Sequence, residues 1–265
     1  MTKDIIYITL KLRGDKMKLA IFSDLHGNFT AWQQAFSVMQ KKNIDKYLCA
    51  GDLVGYGPQP NKTIAHLREK KEEGLDIEIV LGNHDQGVIE EKSLKRFNSH
   101  AKQSIRWTRK KLSTKNKEFL NQIPLKWQKD NLILAHGTPN NPIWEYLRTF
   151  NASKIFANYD FKYCFVGHTH LLQAFSAPKK SSDIEKMKVN SNSKFNIPQE
   201  RRVVFNVGSI GQPRDKNPQS SFIILDTNKN QIEVVRTKYD IKKVQQLIYQ
   251  SNLPDIEGNR LAEGR

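Results

Sequence analysis

Eight side chains that can bind a metal ion or move a proton stand at the ends of short apolar runs. Asp24 and His26 follow the run Leu19 to Phe22, and Asp52 follows Tyr47 to Ala50. Asn83 and His84 follow Ile77 to Leu81, His136 follows Leu132 to Ala135, and His168 and His170 follow Tyr163 to Val166. Five of the chain's seven histidines fall in this set, a concentration that scattered placement does not give. A buried strand ends in Asn, His and Asp only where those groups meet partners, water or an ion. A nitrogen and oxygen shell without sulfur suits Mn, Fe, Ni or Zn, with Mn first, rather than a thiolate-bound structural zinc. An Asp-x-His and a His-x-His supply more donors than one ion takes, and suit two divalent ions about 3.5–4 Å apart that share a carboxylate. Such a pair acidifies a bridging water and neutralises charge on an attacked phosphoryl group, so the expected reaction is hydrolysis of a phosphoester.

Each donor needs an element to deliver it. Lys18 to Ser23 reads as a first strand, and Ala31, Trp32, Ala35, Phe36 and Met39 give Thr30 to Met39 helical periodicity. A short strand to Ala50, a helix over Asn61 to Lys71 and a strand ending at Gly82 follow. Strand, polar loop and helix in repetition imply a largely parallel sheet, whose ligands collect at the carboxyl ends of the strands. Ser99 to Leu112 reads as a basic amphipathic helix. The second half is strand-rich, with Leu172 to Ser176, Val203 to Val207 and Phe222 to Leu225 added to the two strands that carry histidines. Residues 178–200, rich in Lys, Ser and Asn, read as a long mobile hairpin loop; Ile241 to Tyr249 reads as a helix and residues 250–265 as a tail. Residues 17–265 are expected to form one domain, with residues 1–16 an added segment and Met17 an alternative start.

No apolar run approaches the roughly 18 residues needed to span a bilayer, so no membrane partner is expected. Cys49 and Cys164 lie in apolar segments and read as buried reduced thiols of a cytoplasmic protein. The net charge of +16 is uneven: between Lys92 and Asp130 stand 12 Lys or Arg and two acids. That window is a candidate face for nucleic acid, with Trp107 and Trp127 inside it to stack on bases. His66 and His100 read as surface residues, and Trp32, Trp107 and Trp127 as packing.

The motifs Asp24-x-His26, Gly51-Asp52-Leu53-Val54-Gly55, Gly82-Asn83-His84-Asp85, His136-Gly137 and Gly167-His168-Thr169-His170 together resemble the calcineurin-like metallophosphoesterase superfamily. Tyr56-Gly57-Pro58, Trp144-Glu145-Tyr146 and Gly208 to Asp215 are similar to a bacterial subgroup of small phosphoesterases related to diadenosine tetraphosphatases. The resemblance implies an α/β, four-layer αββα sandwich, in which two mixed sheets flanked by helices carry a dinuclear site at the ends of the strands. It implies one ion on Asp24, His26 and His170, another on Asn83, His136 and His168, and Asp52 as the bridge. It gives His84 the part of proton or hydrogen-bond donor to the substrate, Asp85 that of orienting the His84 ring, and Asn28, Tyr56 and Arg214 parts near the substrate. Protein phosphatases of the superfamily carry Asp-Arg-Gly after the bridging Asp; here Gly55-Tyr56-Gly57 stands in its place, and a phosphoprotein substrate is demoted in favour of a small or nucleotide-type phosphomonoester or diester. A nuclease or RNA-end phosphatase using residues 92–129, and a scaffold that has lost its chemistry, are the alternatives. No ligand position is missing, which counts against the scaffold.

Overall fold

The computed structural model describes residues 17–265, and the reading of residues 1–16 as an added segment lies outside the described residues. The first half runs β1 (Lys18–Phe22), α1 (Phe29–Gln40), β2 (Lys46–Cys49), α2 (Pro60–Glu72), β3 (Ile77–Ile79) and α3 (Asn83–Ile89). After a 3₁₀ turn, Glu91–Arg96, come α4 (Ser99–Lys111), α5 (Thr114–Asn121), β4 (Lys126–Lys129), β5 (Leu132–Ala135) and α6 (Thr149–Asn158). The second half is β6 (Tyr163–Val166), β7 (Leu172–Pro178), β8 (Glu185–Met187), β9 (Lys194–Asn196), β10 (Arg201–Val207), β11 (Ser220–Asp226) and β12 (Gln231–Thr237). Two helices, α7 (Ile241–Tyr249) and α8 (Asp255–Glu263), end the chain.

The strands form two six-stranded sheets, ordered β3-β2-β1-β11-β12-β9 and β4-β5-β6-β10-β7-β8. In the first sheet β1 lies parallel to β2 and β2 to β3, while β11, β12 and β9 continue it antiparallel. The second repeats the plan, with β5, β6 and β10 parallel and β4, β7 and β8 antiparallel. Both sheets are therefore mixed, and the expectation of a largely parallel sheet holds only for their centres. The hydrophobic strands are buried on both faces, which is why they read as continuous apolar runs. Leu19 and Ile21 of β1 meet Phe165, Val203 and Phe205 between the sheets, while Ala20 and Phe22 face α1 and α2. Cys164, Val166 and Val204 turn to the opposite outer face, where Ala152, Ile155 and Phe156 of α6 cover them. The result is the αββα sandwich.

Three expectations need correction. Residues 178–200 connect β7 to its antiparallel partner β10 as a hairpin, but they are not all loop: β8 extends the second sheet beside β7, and β9 extends the first beside β12, so this segment ties the two sheets together at one edge. Residues 250–265 are not a tail, because α8 packs on α7 through Val244, Ile248, Leu253 and Leu261. His66 is not a free surface group: it accepts the Trp32 indole N–H at 3.0 Å and lies edge-on to Phe36. Trp32 is core, Trp107 packs against the α7–α8 cluster and Trp127 against the inter-sheet core, as read from the sequence. Cys49 and Cys164 are buried and unbridged, in separate clusters. Among the described residues no helix is long and apolar enough to cross a membrane.

Candidate metal centre

Asp24, His26, Asp52, His168 and His170 all sit in the left-handed backbone region, with φ of 55°, 48°, 53°, 70° and 59°. An L-residue there costs about 1–2 kcal/mol, so five such residues in one place require surroundings that impose the conformation. Main-chain bonds between loops do so. The Asp24 N–H donates to the Gly51 carbonyl, His26 to Asp52 and Gly27 to Leu53, all at 2.8–2.9 Å. Gly211 donates to Asp24 at 2.8 Å, and Gly167 to His136 at 2.9 Å. Gly82 lies so close to Asp52 that a Cβ there would stand on the carboxylate. Gly82→Ala is expected to cost about 1–3 kcal/mol by overpacking, read as a lower denaturation midpoint, and to reduce bound metal measured on the folded fraction.

The side chains that these loops present converge on two points. Oxygen or nitrogen atoms of Asp24, His26, Asp52 and His170 lie within 4.8 Å of one another, as do those of Asp52, His136 and His168. Asp52 belongs to both groups. His26 Nε2 is 3.0 Å from His170 Nε2, and His136 Nε2 is 3.1 Å from His168 Nδ1 and 2.9 Å from Asn83 Oδ1. Asp24 Oδ1 and Asp52 Oδ2 are buried with no hydrogen-bond partner among the described residues. Two carboxylate oxygens without donors, facing imidazole nitrogens, form a donor set that lacks its acceptor, and divalent ions fit it. The opposite ring nitrogens are fixed: Nδ1 of His26, His136 and His170 lies 3.2, 2.8 and 2.6 Å from the carbonyls of Val54, Ala50 and Gln212. A carbonyl only accepts, so each Nδ1 carries a proton, and wherever the ring is neutral its Nε2 is bare for an ion.

Electrostatics agree with a cation site. Burial favours the neutral form of Asp24, but the imidazoles of His170, His26 and His136 outweigh it and hold the carboxyl well below its usual range. Asp52 is likewise depressed against its burial, by His136, His84 and His26. Burial opposes charge on His136, yet the carboxylates of Asp52 and Asp24 lift it to about 9. Burial pushes His168 down to about 3 and His170 down to about 4. The centre thus keeps both carboxylates ionised and the imidazoles of His168 and His170 neutral and free to ligate.

The family model of the calcineurin-like phosphoesterase superfamily domain matches residues 17–230. The chain belongs to this superfamily. An uncharacterised protein of Methanocaldococcus jannaschii is 34% identical over 255 residues, which cover 94% of this chain and 99% of that one. A symmetrical bis(5'-nucleosyl)-tetraphosphatase of Psychromonas ingrahamii is 44% identical over 70 residues, 26% of this chain and 24% of the relative. Among solved structures, a metallophosphoesterase from Sphaerobacter thermophilus superposes with a TM-score of 0.80 at 28% identity, covering 95% of this chain and 100% of the other. The chain is thus a metal-dependent phosphoester hydrolase of the calcineurin-like type.

Around the calcineurin-like centre the remaining residues divide. His84 is buried beside His26, Tyr56 and Phe97, with ring centroids at 4.9, 4.3 and 5.0 Å. Its main-chain N–H donates to Asp52 Oδ1 at 2.8 Å, and its Nδ1 has no partner. Burial holds its pKa well below the usual histidine value. Asp85 does not orient that ring: its oxygens accept from the Val54 and Gly82 main-chain N–H groups, both at 3.1 Å, and neither reaches His84. Its contribution is to clamp the Asp52 loop to the start of α3. Asn28 is committed to structure, capping α1 by accepting from the Ala31 N–H at 3.1 Å and donating to the Gly211 carbonyl at 2.9 Å. Tyr56 lines the site beside His26, and the Arg214 guanidinium carbon stands 5.5 Å above its ring. Arg214 has no carboxylate partner among the described residues.

Sequence reading missed an aromatic rim. Tyr146 stacks on His168 at 4.0 Å with 13° between the planes and remains 42% exposed. Phe97 links His84 to Trp144, and Arg96 lies 4.9 Å over Trp144. In the basic window, Lys126 and Lys129 belong to β4 at the edge of the second sheet, and Arg109 pairs with Glu91 at 3.2 Å. Trp107 and Trp127 are engaged in packing beneath Lys111 and Lys46.

Proposed function

We propose that the protein is a dinuclear phosphoesterase acting on a small nucleotide-type phosphomonoester or diester. The observation that carries this reading is the pair of buried donor groups sharing Asp52. Asp24, His26 and His170 would hold one ion and Asn83, His136 and His168 the other, with Asp52 between them and Mn as the preferred metal. Ions bound there supply Lewis acidity, which activates water and offsets phosphoryl charge. The chain's own side chains do the rest. His84 gives an N–H to the phosphate or leaving oxygen, and Arg214, which has no carboxylate partner among the described residues, offers its guanidinium to a non-bridging oxygen. Asp85 and Asn28 hold the loops in place.

The rim supports the nucleotide-type substrate. An exposed tyrosine stacked on a ligand histidine, with Arg148 at 5.7 Å from its ring, is the chemistry that receives a nucleobase. With base stacking at about 1–3 kcal/mol, Tyr146→Ala is expected to raise KM for a nucleotide ester about 10-fold. KM for a base-free ester such as a phosphoglycerol should stay unchanged. Equal effects on both substrates would contradict the base-binding part. Polynucleotide is the weaker reading, because Trp107 and Trp127, the tryptophans of the basic window, are engaged in packing. The buried, unbridged thiols suit a reducing compartment, and we assign the protein to the cytoplasm.

A further inference from the structure

We propose that Glu257, on the C-terminal helix α8, is a positioning residue for the hydrolytic centre: through Gln212 it fixes Arg214 over the site. The proposal rests on the reading of Arg214 as the phosphate-binding cation. Glu257 is 1% exposed although it lies in a strongly polar stretch, Asp255 to Arg260. Its Oε2 accepts from Gln212 Nε2 at 2.9 Å, and Gln212 Oε1 accepts from Arg214 Nη2 at 2.6 Å and Nε at 3.3 Å. A carboxylate only accepts and a guanidinium only donates. The Gln212 amide is the adapter that joins them, and it works in one orientation alone. Turned over, it would set its carbonyl against Glu257 and its NH₂ against Arg214, losing every bond. Glu257 therefore decides which end of the amide meets Arg214, and so whether the guanidinium is held.

The main chain of Gln212 is secured separately. Its N–H donates to Ser209 Oγ at 2.9 Å, that hydroxyl donates to the Asp24 carbonyl at 2.8 Å, and the Gln212 carbonyl receives His170 Nδ1 at 2.6 Å. Loss of Glu257 thus frees the side chain of Gln212 while leaving its carbonyl on His170, and the ligand set with it. The helix is well placed for the task. Gln245 Nε2 donates to the Gly258 carbonyl at 3.0 Å, the Lys216 N–H donates to the Gly264 carbonyl at 2.9 Å, and Glu257 lines a small cavity with His26 and Tyr56.

The test uses the full chain loaded with Mn and bis(p-nitrophenyl) phosphate as substrate, with Glu257→Leu, Glu257→Gln, Arg214→Ala and the Glu257→Leu/Arg214→Ala pair. Glu257→Leu should raise KM about 10-fold, the order of one hydrogen bond to a charged group, with kcat and metal content kept. Glu257→Gln retains an acceptor for Gln212 and should restore KM to within about twofold. In the double variant KM should equal that of Arg214→Ala alone, because the two residues act in series. Multiplying effects, a Glu257→Gln as impaired as Glu257→Leu, or an unchanged KM in Glu257→Leu beside a raised KM in Arg214→Ala, would each overturn the proposal. An Arg214→Ala enzyme with wild-type KM would instead remove the reading on which it rests. If Glu257→Leu does not fold, Gln212→Leu removes the same adapter, and the same series with Arg214→Ala decides.

Discussion

Asp52→Asn is expected to lower phosphoester hydrolysis about 10³-fold, since a shared ligand supports several kcal/mol of transition-state charge stabilisation and each 1.36 kcal/mol is tenfold. The fold should survive. Asp52 Oδ1 accepts from the His84 main-chain N–H, a bond that an Asn carbonyl can keep, and Oδ2 has no hydrogen bond to lose. What disappears is the charge common to both donor groups. Metal analysis after Mn loading and gel filtration should therefore show fewer than two ions per chain, while the thermal unfolding midpoint of the metal-free protein changes little. Wild-type turnover in this variant would remove the basis for a shared carboxylate.

His84→Ala is expected to separate hydrogen-bond donation to the leaving oxygen from metal binding. His84 touches the centre through its main chain, whose N–H survives the substitution, so metal content should remain at the wild-type value. Burial keeps the ring neutral, so its N–H acts by hydrogen-bonding the leaving oxygen, and with a bond to a charged group at about 1.5–3 kcal/mol kcat for an alkyl phosphoester should fall about 10–100-fold. The leaving group gives the diagnosis. A p-nitrophenolate departs without a proton, so its ester should lose far less than an alkyl ester, and equal losses would reassign His84 to phosphate binding alone. Gly55 guards this geometry. It adopts φ of 136°, and a Cβ there would strike the His84 ring, so a side chain at Gly55 displaces the imidazole from the centre.

The cluster of donors was legible in the sequence because each member is a polar residue closing an apolar run, and a short run of that kind reads as a buried strand. Asp24, His26, Asp52, His136, His168 and His170 needed no more than that, and the sheets place them together. The left-handed backbone at five of them was not legible, since it is imposed by bonds between loops distant in sequence. The pairing of Asp85 with His84 failed for a local reason. Asp85 is the third residue of α3 and folds back on the Gly82 N–H as a cap, while the adjacent side chain leaves the helix about 100° away. Residues 178–200 hid two strands because each is three residues long and turns a single apolar side chain, Met187 or Phe195, to the core, too short a run to show alternation. Glu257 was hidden in the same way: its stretch has the composition of a solvated turn, and its burial follows from Gln212, 45 residues earlier in the chain. The apolar positions of α1, α2 and α4, by contrast, recur at helical spacing, and those helices lie where the periodicity puts them.

The central claim is that one carboxylate joins two metal ions, and electron paramagnetic resonance of the Mn-loaded protein tests it most directly. With two Mn(II) per chain the spectrum should be exchange-coupled and collapse to isolated-ion signals in Asp52→Asn. A wild-type spectrum of isolated ions, or binding that saturates at one ion per chain, would contradict it.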